Sequence, residues 1–459
     1  MTIALIIYLV VLVLIAVRSA QRVKDIPDFF VARKGASALA VAGSLVATIL
    51  GGSAVIGAID SGMKLGAAAS WFMLTGAIGL FALIPFAARA YKHGKYTLPD
   101  LVENLYGKGP RTVASIVIPI AWTGIVAAQI IAAAKLLMTF TPMEYTTAAI
   151  VSAAVFTGYT LAGGQLSILR TDFFQACLIV AGLVLVAGFA LVNGAGDAGV
   201  LPSRDLPFPF NEGFSPFDLF LLILTYGTTY TAGPDIFSRV FCAKDVHSAK
   251  KAIAVAACVL IPVAFVIGIL ALFGTSLGDI QGARITAIAN AVLPPALVPL
   301  VALALLSVVL SSADTTLLSS SVIICRLFDM GNTADRNSVK SPLAKARIII
   351  LLNGGVALLL ALVFTDIIGT LLLALAVYAG AFTVPVLWGL LGLKAKPKFV
   401  AVAIVAGGAL ALAGKLCPPL PGSLGTHTGD FLMIAAFIVN ATILALGRTG
   451  QQSQAGNTP

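Results

Sequence analysis

Apolar segments of about 17 to 25 residues recur along nearly the whole chain, and they constrain the fold more than any other feature. Segments of that length cross the hydrocarbon core of a bilayer as helices. Hydrophobic residues make up 59% of the 459 and only 10% are charged, which excludes an ordinary soluble protein. We count thirteen such segments, beginning near residues 2, 38, 67, 112, 146, 171, 216, 252, 297, 347, 367, 399 and 430. The sequence therefore predicts an all-α polytopic membrane protein with about thirteen transmembrane helices.

Positive charges are distributed unevenly among the predicted loops. Loops that face the cytoplasm retain Lys and Arg, so we place the amino terminus outside and the carboxyl terminus inside, which leaves 24 of the 29 basic residues within. The outer side holds Lys64, Lys135, Arg204, Arg284 and Lys415. The net charge of +10 is spread over short loops and indicates topology rather than nucleic-acid binding. We expect an integral protein of the plasma membrane (a bacterial or archaeal cytoplasmic membrane), surrounded by lipid and without an obligate protein partner.

A polar insert interrupts the apolar stretch from Leu297 to Leu327. It consists of Ser311, Ser312, Ala313, Asp314 and Thr315. A carboxylate at mid-bilayer costs roughly 2.5 to 3.5 kcal/mol on insertion scales, so Asp314 requires a cation, a water cavity or a hydrogen-bond donor. We interpret the insert as part of an ion site. The alternative is that Asp314 lies nearer the cytoplasmic end of its helix, where it snorkels or is protonated.

Two other segments carry helix-breaking residues in their middle rather than at their ends. Gly51 to Ser53 interrupt the second segment, and in the seventh Gly227 to Tyr230 leads into Gly233 and Pro234. Non-helical backbone at membrane depth is tolerated only where it is buried in protein or lines a cavity. Paired interruptions in two halves point to the binding site of a secondary transporter with inverted repeats. For the first interruption alone, close helix packing is an equal alternative.

These observations divide the chain into four parts. Residues 1–24 are predicted to form an accessory transmembrane helix, because positive charges follow the apolar run instead of preceding it as in a secretory signal. A short stretch, Val17 to Ala20, nevertheless leaves a cleavage site open as an alternative. Residues 25–395 are predicted to form a transport core with a 5+5 inverted repeat and two discontinuous helices. Residues 396–447 would add two accessory transmembrane helices, and 448–459 a disordered cytoplasmic tail.

Several motifs together resemble the sodium:solute symporter family, whose members include sodium-coupled carriers of sugars, proline, pantothenate and sialic acid. The resemblance covers roughly residues 25 to 395. It rests on Phe29-Phe30-Val31-Ala32, the glycine-rich helix from Ser44 to Gly57, Tyr96-Thr97-Leu98-Pro99-Asp100, Gly163-Gly164 followed by Thr171-Asp172 and Gln175, and Ser311-Ser312-Ala313-Asp314. The resemblance implies the LeuT-like fold, with alternating access driven by Na⁺.

The resemblance also implies positions for the coupling ion. The sodium site of the family takes carbonyl oxygens from the first broken helix and from the eighth core helix, together with two adjacent hydroxyls. The matching residues are Ala47, Leu50, Val308, Ser311 and Ser312. Sodium is a hard cation that several oxygens suit, and a site of neutral oxygens binds it weakly enough for release in each cycle.

A second cation site of some relatives is matched by Asp172, Asp314 and Thr315, with Asp314 standing where those relatives have a hydroxyl. Two nearby carboxylates suit either a tighter cation site or a proton site. An alternative reading makes Asp172 the charge partner of Arg170 or of another base at the cytoplasmic end.

Other residues of this sequence differ from those of the better-known branches of the family. The aspartate of the proline carriers is matched by Ile49, and the polar side chains that sugar carriers place on this helix are absent, so both substrates lose support. In the seventh segment Asp235 and Arg239 are four residues apart, a spacing that fits an inner-gate ion pair. A solvated helix end is the alternative.

The solute cavity should lie between the two broken helices and the fourth and eleventh segments. Its candidate residues are Thr48, Gly51, Gly52, Ser53, Gln129, Tyr226, Thr228, Thr229, Tyr230 and Tyr378. Because these are uncharged, they argue against a densely hydroxylated sugar and favour a small amino acid or monocarboxylate. A freed half-helix amino terminus could receive a carboxylate. Lys135 is either a counter-charge or, nearer the outer end of its segment, a snorkelling anchor.

The sequence thus predicts a sodium-coupled symporter that imports a small organic solute. The alternatives are a proton-coupled symporter that uses Asp172 and Asp314, and a non-transporting membrane sensor on the same scaffold. The short tail after Arg448 disfavours the sensor, which would carry an appended signalling domain. The five cysteines show no metal spacing, and no His/Cys cluster, phosphate loop or nucleophile motif appears, so the sequence does not predict an enzyme.

Overall fold

The computed structural model describes residues 8, 10–12, 14–15, 18, 26–193, 206–277, 280, 282–328, 340–416 and 427–449. Within these ranges the chain folds into helices and contains no β-strand. The described residues between 8 and 18 are helical and belong to the first predicted segment. Most of the predicted tail, residues 448–459, lies outside the described residues.

Eighteen helices follow in chain order from Ile26 onward within the described ranges. The first nine are α1 (Ile26–Val31), α2 (Ala38–Ile49), α3 (Gly52–Asp60), α4 (Gly62–Leu65), α5 (Trp71–His93), α6 (Leu98–Tyr106), α7 (Lys108–Phe140), α8 (Tyr145–Asn193) and α9 (Pro216–Leu222). The others are α10 (Thr228–Ala232), α11 (Pro234–Val240), α12 (Val246–Phe273), α13 (Arg284–Val292), α14 (Val298–Leu327), α15 (Lys340–Val363), α16 (Ile367–Leu390), α17 (Pro397–Leu416) and α18 (Thr428–Leu446). A π-helical turn, Ile223–Gly227, connects α9 to α10.

Nine helices of the described chain are long and apolar enough to cross a membrane, and ten spans result if the bent pair α2 and α3 counts as one. The segments predicted from residues 146 and 171 both lie in α8, which Gly164 breaks between them with a positive φ of 59°. The segment predicted from residue 216 is divided among α9, the π turn, α10 and α11. The structure therefore supports an all-helical membrane protein, and the count of thirteen spans with a 5+5 repeat stays a prediction.

Local capping sets several helix ends. Thr97 and Asp100 form a capping box at the start of α6, which satisfies backbone amides that have no partner within the helix. At the start of α12 the Asp245 side chain accepts a hydrogen bond from the Ser248 amide at 2.6 Å. This bond holds the pKa of the exposed Asp245 carboxyl below its ordinary value, because it stabilises the charged form.

Both predicted interruptions of the helical backbone are confirmed. Between α2 and α3 the axis bends by 43°, and Leu50 leaves the helical region with φ −76° and ψ 49°. Between α10 and α11 Gly233 is extended, with ψ 138°, and Pro234 starts the next helix. Proline suits this first-turn position because it lacks the amide that would otherwise need a partner.

Helix α14 carries the polar insert and lies in the interior of the helical assembly. It packs against α2, α7 and α8, and every residue from Ser307 to Ile323 is buried. Asp314 is 0% exposed. The alternative in which Asp314 snorkels toward the cytoplasmic end is therefore wrong, whereas the alternative in which it is protonated stays a prediction.

Candidate functional site

The twin serines of α14 lie directly against the break between α2 and α3. The Ser311 hydroxyl donates a hydrogen bond to the Ala47 carbonyl at 2.9 Å, and the Ser312 hydroxyl donates to the Thr48 carbonyl at 2.7 Å. Gly51 sits so close to Ser312 Oγ that a Cβ at position 51 would overlap it. The unwound turn and the two hydroxyls therefore form one cluster of oxygens in the protein interior.

The predicted ligands of this cluster take unequal positions. Ala47 faces both serines, since its carbonyl also lies 3.5 Å from Ser312 Oγ, and the Val308 carbonyl lies 3.5 Å from Ser311 Oγ. Leu50 is buried at the end of α2, and its carbonyl takes no part in these hydrogen bonds. Thr48, a predicted residue of the solute cavity, also contributes its carbonyl to the serine cluster.

A second polar cluster lies about one turn of α2 away, at Ser44. The Ser44 hydroxyl donates a hydrogen bond to Asp172, and Arg239 Nη2 lies 3.6 Å from Asp172 Oδ2. Arg239 also donates to Ser44 Oγ at 3.1 Å and to the Thr315 hydroxyl. Asp172 and Arg239 are both 0% exposed. This buried ion pair therefore links α8 to α11, and Ser44 of α2 and Thr315 of α14 hydrogen-bond to it.

Asp314 adds a second carboxylate to this cluster. Its Oδ1 accepts a hydrogen bond from Thr315 at 3.3 Å, and it interacts electrostatically with both Asp172 and Arg239. One oxygen of each carboxylate, Asp172 Oδ1 and Asp314 Oδ2, is buried without a hydrogen-bond partner in the described structure. Two ionised carboxylates and one guanidinium carry a net charge of −1, so one further monovalent cation would neutralise the cluster.

The predicted ion pair between Asp235 and Arg239 is wrong. In the described part of the chain Arg239 pairs with Asp172 and forms no ion pair with Asp235. The spacing of four residues permits a contact along one helix, but α8 brings Asp172 to the same guanidinium from a distant part of the sequence. The sequence also allowed Asp172 to pair with Arg170 or with another base at the cytoplasmic end. The base that pairs with it in the structure is Arg239.

Tyr8 is a neighbour of this cluster that sequence reasoning missed. Its hydroxyl lies 2.6 Å from Ser307 Oγ and accepts a hydrogen bond from Gln175 at 3.2 Å. The Ser307 carbonyl in turn lies 2.7 Å from the Ser311 hydroxyl, whose single hydrogen it shares with the Ala47 carbonyl. Tyr8 therefore connects α8 and α14 one turn away from Asp172 and from the twin serines. The only indication in the sequence was the phenolic hydroxyl of Tyr8 within the otherwise apolar first segment.

A central cavity of about 40 Å³ lies beside the first break. Seven predicted solute residues line it, namely Thr48, Gly51, Ser53, Gln129, Tyr226, Thr229 and Tyr230. Gln129 is fixed there because its amide donates to the Ser53 hydroxyl at 2.7 Å. Residues that the sequence did not suggest also line it, among them Trp122, Asp235 and Thr316.

Three predicted solute residues lie outside the cavity lining. Gly52 packs against Val309 and Ala132, and the Thr228 hydroxyl donates to the Leu224 carbonyl at 2.6 Å. The Tyr378 hydroxyl donates to the Ala232 carbonyl at 2.5 Å, while its ring stands edge-on to Trp122 at 4.5 Å between centroids. These residues support the cavity wall and do not form its surface.

Openings on the two faces differ greatly in size. A vestibule of about 680 Å³ opens on the face that carries Lys64, Lys135, Arg284 and Lys415, which is the face predicted to lie outside. The opposite side has a cavity of about 10 Å³, where Phe30 and Tyr96 cover Ser238 and Ser319. The structure is therefore open toward the predicted outside and closed toward the predicted inside.

Comparison with known proteins places this geometry in a family. The profile of the Sodium:solute symporter family matches residues 29–398. The chain belongs to the sodium:solute symporter family, as its motifs indicated.

Individual relatives match only part of the chain. It is 29% identical to a sodium/proline symporter from Haemophilus influenzae over 212 residues, 43% of this chain and 40% of that protein. It is 25% identical to an osmoregulated proline transporter from Bacillus subtilis over 259 residues, 54% of this chain and 52% of that protein. The chain thus spans about half the length or less of these two relatives.

One solved structure is similar over nearly the whole length. It shows a Na⁺-coupled sialic acid symporter in a substrate-bound outward-open state, with a TM-score of 0.77, 18% identity and 98% of each chain covered. At this identity the likeness establishes the shared fold.

Proposed function

We propose that this protein is a sodium-coupled symporter that imports a small organic solute by alternating access. The observation that carries the proposal is the contact of the Ser311 and Ser312 hydroxyls with the carbonyls of Ala47 and Thr48. A sodium ion at this contact would take over the carbonyl oxygens that now accept the serine hydrogens. The family and the sodium-coupled relatives support the same ion.

Sodium at this position would connect the two parts of the protein that must move apart. The broken helix α2–α3 lines the solute cavity, whereas α14 belongs to the buried interior. An ion that binds only while these helices are in contact shifts the population toward the outward-open state, by an amount set by its differential affinity for the two states. Separation of the helices would then release sodium and solute on the inner side.

The Asp172, Asp314 and Thr315 cluster supports a second monovalent cation. Its net charge of −1 and its two unpartnered carboxylate oxygens favour uptake of one positive charge, either Na⁺ or a proton. The two unpartnered carboxylate oxygens therefore also support proton coupling as an alternative function. Uptake measured at fixed pH with external sodium replaced by choline distinguishes them, because only proton coupling survives the replacement.

The solute is proposed to be a small amino acid or monocarboxylate. The central cavity is narrow, and its walls combine aromatic rings with a few hydroxyl and amide groups. A sugar with many hydroxyls would leave buried hydrogen bonds unmade in such a site. The proline carriers among the relatives support an amino acid, although Ile49 occupies the position of the aspartate noted in proline carriers.

The double variant Ser311→Ala, Ser312→Ala tests the sodium site. We expect ²²Na⁺ binding by the purified protein to fall by more than tenfold, because each lost oxygen contributes about 1 kcal/mol or more. Ser152→Ala is the matched control, since among the described residues this buried serine bonds only the Ala148 carbonyl within its own helix. Undiminished ²²Na⁺ binding in the double variant would remove the proposal.

A further inference from the structure

Asp235 is the charged group that faces the solute cavity. Among the described residues that line the cavity it alone carries a formal charge. It occupies the first turn of α11, directly after the extended Gly233. The second break of the helical backbone therefore places a carboxylate where the transported solute must pass.

The neighbouring Arg239 does not neutralise this carboxylate by contact. Its Nε donates to Ser44 at 3.1 Å, its Nη1 to Ser238 at 2.9 Å, and its Nη2 contacts Asp172 and Thr315. All three nitrogens are thus engaged in the cation cluster. In the described structure Asp235 forms no ion pair with any Lys, Arg or His.

Aromatic rings surround the Asp235 side of the cavity. The Tyr226 and Tyr230 rings lie 5.0 Å apart between centroids, and both tyrosines interact electrostatically with Asp235. A carboxylate beside aromatic rings is a combination that binds organic ammonium groups. A compact sodium ion, in contrast, prefers a shell of several oxygens.

Other residues of the cavity lining offer groups that suit a carboxylate. Trp122 lines the cavity and is 1% exposed, and its indole N–H is buried without a hydrogen-bond partner in the described structure. The amino terminus of α3 also lines the cavity with Gly51 and Ser53, where the Ser53 amide donates to Gln129 Oε1 at 3.4 Å and the helix dipole favours an anion. The cavity lining thus combines one negative group with groups that favour an anion.

We infer that the solute carries a protonated amine held by Asp235, and that its carboxylate binds at Trp122 and the amino terminus of α3. This inference rests on the proposed transport function and narrows its substrate class to zwitterionic amino acids and related amines. A monocarboxylate without an amine would leave the Asp235 charge unpaired in a closed cavity, which is costly. We expect discrimination of about 100-fold or more between an amino acid and the acid that lacks its amino group.

Matched ligand pairs test the inference with the full-length purified protein. The probes are the L-amino acids and the corresponding acids without the amino group, for example alanine with propionate and proline with cyclopentanecarboxylate. Ligand-induced thermal stabilisation in saturating sodium measures binding. The variants are Asp235→Asn and, as a control, Asp245→Asn, which lines none of the three cavities described above and retains a good helix cap. ²²Na⁺ binding is measured in parallel for every variant.

We expect one or more amino acids to stabilise the wild-type protein and the paired acids to do so about 100-fold more weakly. Asp235→Asn should lose amino-acid binding to a similar extent while its ²²Na⁺ stoichiometry is unchanged, and Asp245→Asn should behave as wild type. Equal binding of the acids, binding of no amine in the panel, or unchanged amino-acid binding by Asp235→Asn overturns the inference. A lower ²²Na⁺ stoichiometry in Asp235→Asn also overturns it. Failure of the sodium proposal has a separate signature, since the wild type itself would then bind no ²²Na⁺.

Discussion

Replacing Arg239 by Met should destabilise the protein through the charges that it leaves behind. Arg239 is fully buried and lies 3.6 Å from Asp172. Met has a similar length and is apolar, so it fills the space without the charge. With both carboxylates ionised, the cluster of Asp172 and Asp314 would change from a net charge of −1 to −2 in the protein interior.

The expected cost follows from removing one partner of a buried ion pair, which is about 3 to 5 kcal/mol. This cost already includes the lost hydrogen bonds to Ser44, Ser238 and Thr315, because it counts every group that the substitution leaves without a partner. Arg326→Met provides the comparison. Arg326 Nη2 lies 3.1 Å from Asp100 Oδ1, but the arginine side chain is 20% exposed and that of Asp100 4%. Because water reaches part of this pair, the loss of Arg326 should cost less than the loss of Arg239.

Denaturant unfolding of the detergent-purified protein measures both variants. A second prediction within the same experiment concerns rescue, since Asp172→Asn combined with Arg239→Met restores a net charge of −1 and should recover part of the loss. Sodium should also stabilise Arg239→Met more than wild type, because an added cation neutralises a larger charge. The reasoning is refuted if Arg239→Met costs no more than Arg326→Met, or if Asp172→Asn brings no recovery.

Two further predictions concern contacts near the cation cluster and on the inner side. Tyr8→Phe removes the hydroxyl bound to Ser307 and Gln175 and should weaken ²²Na⁺ binding about fivefold. The control is Tyr145→Phe, whose hydroxyl bonds Ala361 and whose loss should leave ²²Na⁺ binding unchanged. Equal effects of the two variants would contradict a role for Tyr8. Asp100→Asn removes the ion pair with Arg326 that joins α6 to α14. In a background without native cysteines it should raise labelling of Ser238→Cys from the inner side about fivefold. Unaltered labelling would show that this pair does not hold the inner side closed.

The sequence predicted those features of the site that depend on local patterns. Glycine and serine between two apolar helical arms indicated the break at Gly51, because such residues weaken the helix wherever they occur. Adjacent hydroxyls in a buried helix indicated the cluster at Ser311 and Ser312. Both features are present, and the structure brings them into contact. The sequence did not predict that Ser312 contacts the Thr48 carbonyl and not the Leu50 carbonyl. Leu50 leaves the helical region, with a ψ of 49°, and that change of backbone direction has no local signal in the sequence.

Long-range packing explains what the sequence could not predict. The spacing of Asp235 and Arg239 indicated a pair, but Arg239 meets Asp172 from α8 and Asp235 turns to the cavity. Tyr8 reaches Ser307 across almost 300 positions of sequence, a contact that no local pattern encodes. Nothing in the sequence distinguishes Trp122 from other buried aromatic residues, but the structure places it in the lining of the cavity with its indole N–H unpartnered among the described residues.

Helix α11 gives a physical reason for coupling between solute and ion. It is only seven residues long, with Asp235 in the solute cavity at one end and Arg239 in the cation cluster at the other. Because Arg239 bonds both Ser44 of α2 and Thr315 of α14, a shift of α11 on solute binding must change the contacts of the cluster. Linkage is reciprocal, so sodium should raise solute affinity by the same factor by which solute raises sodium affinity. In Arg239→Met the two factors should fall together toward one, since the residue that joins the two sites is then absent.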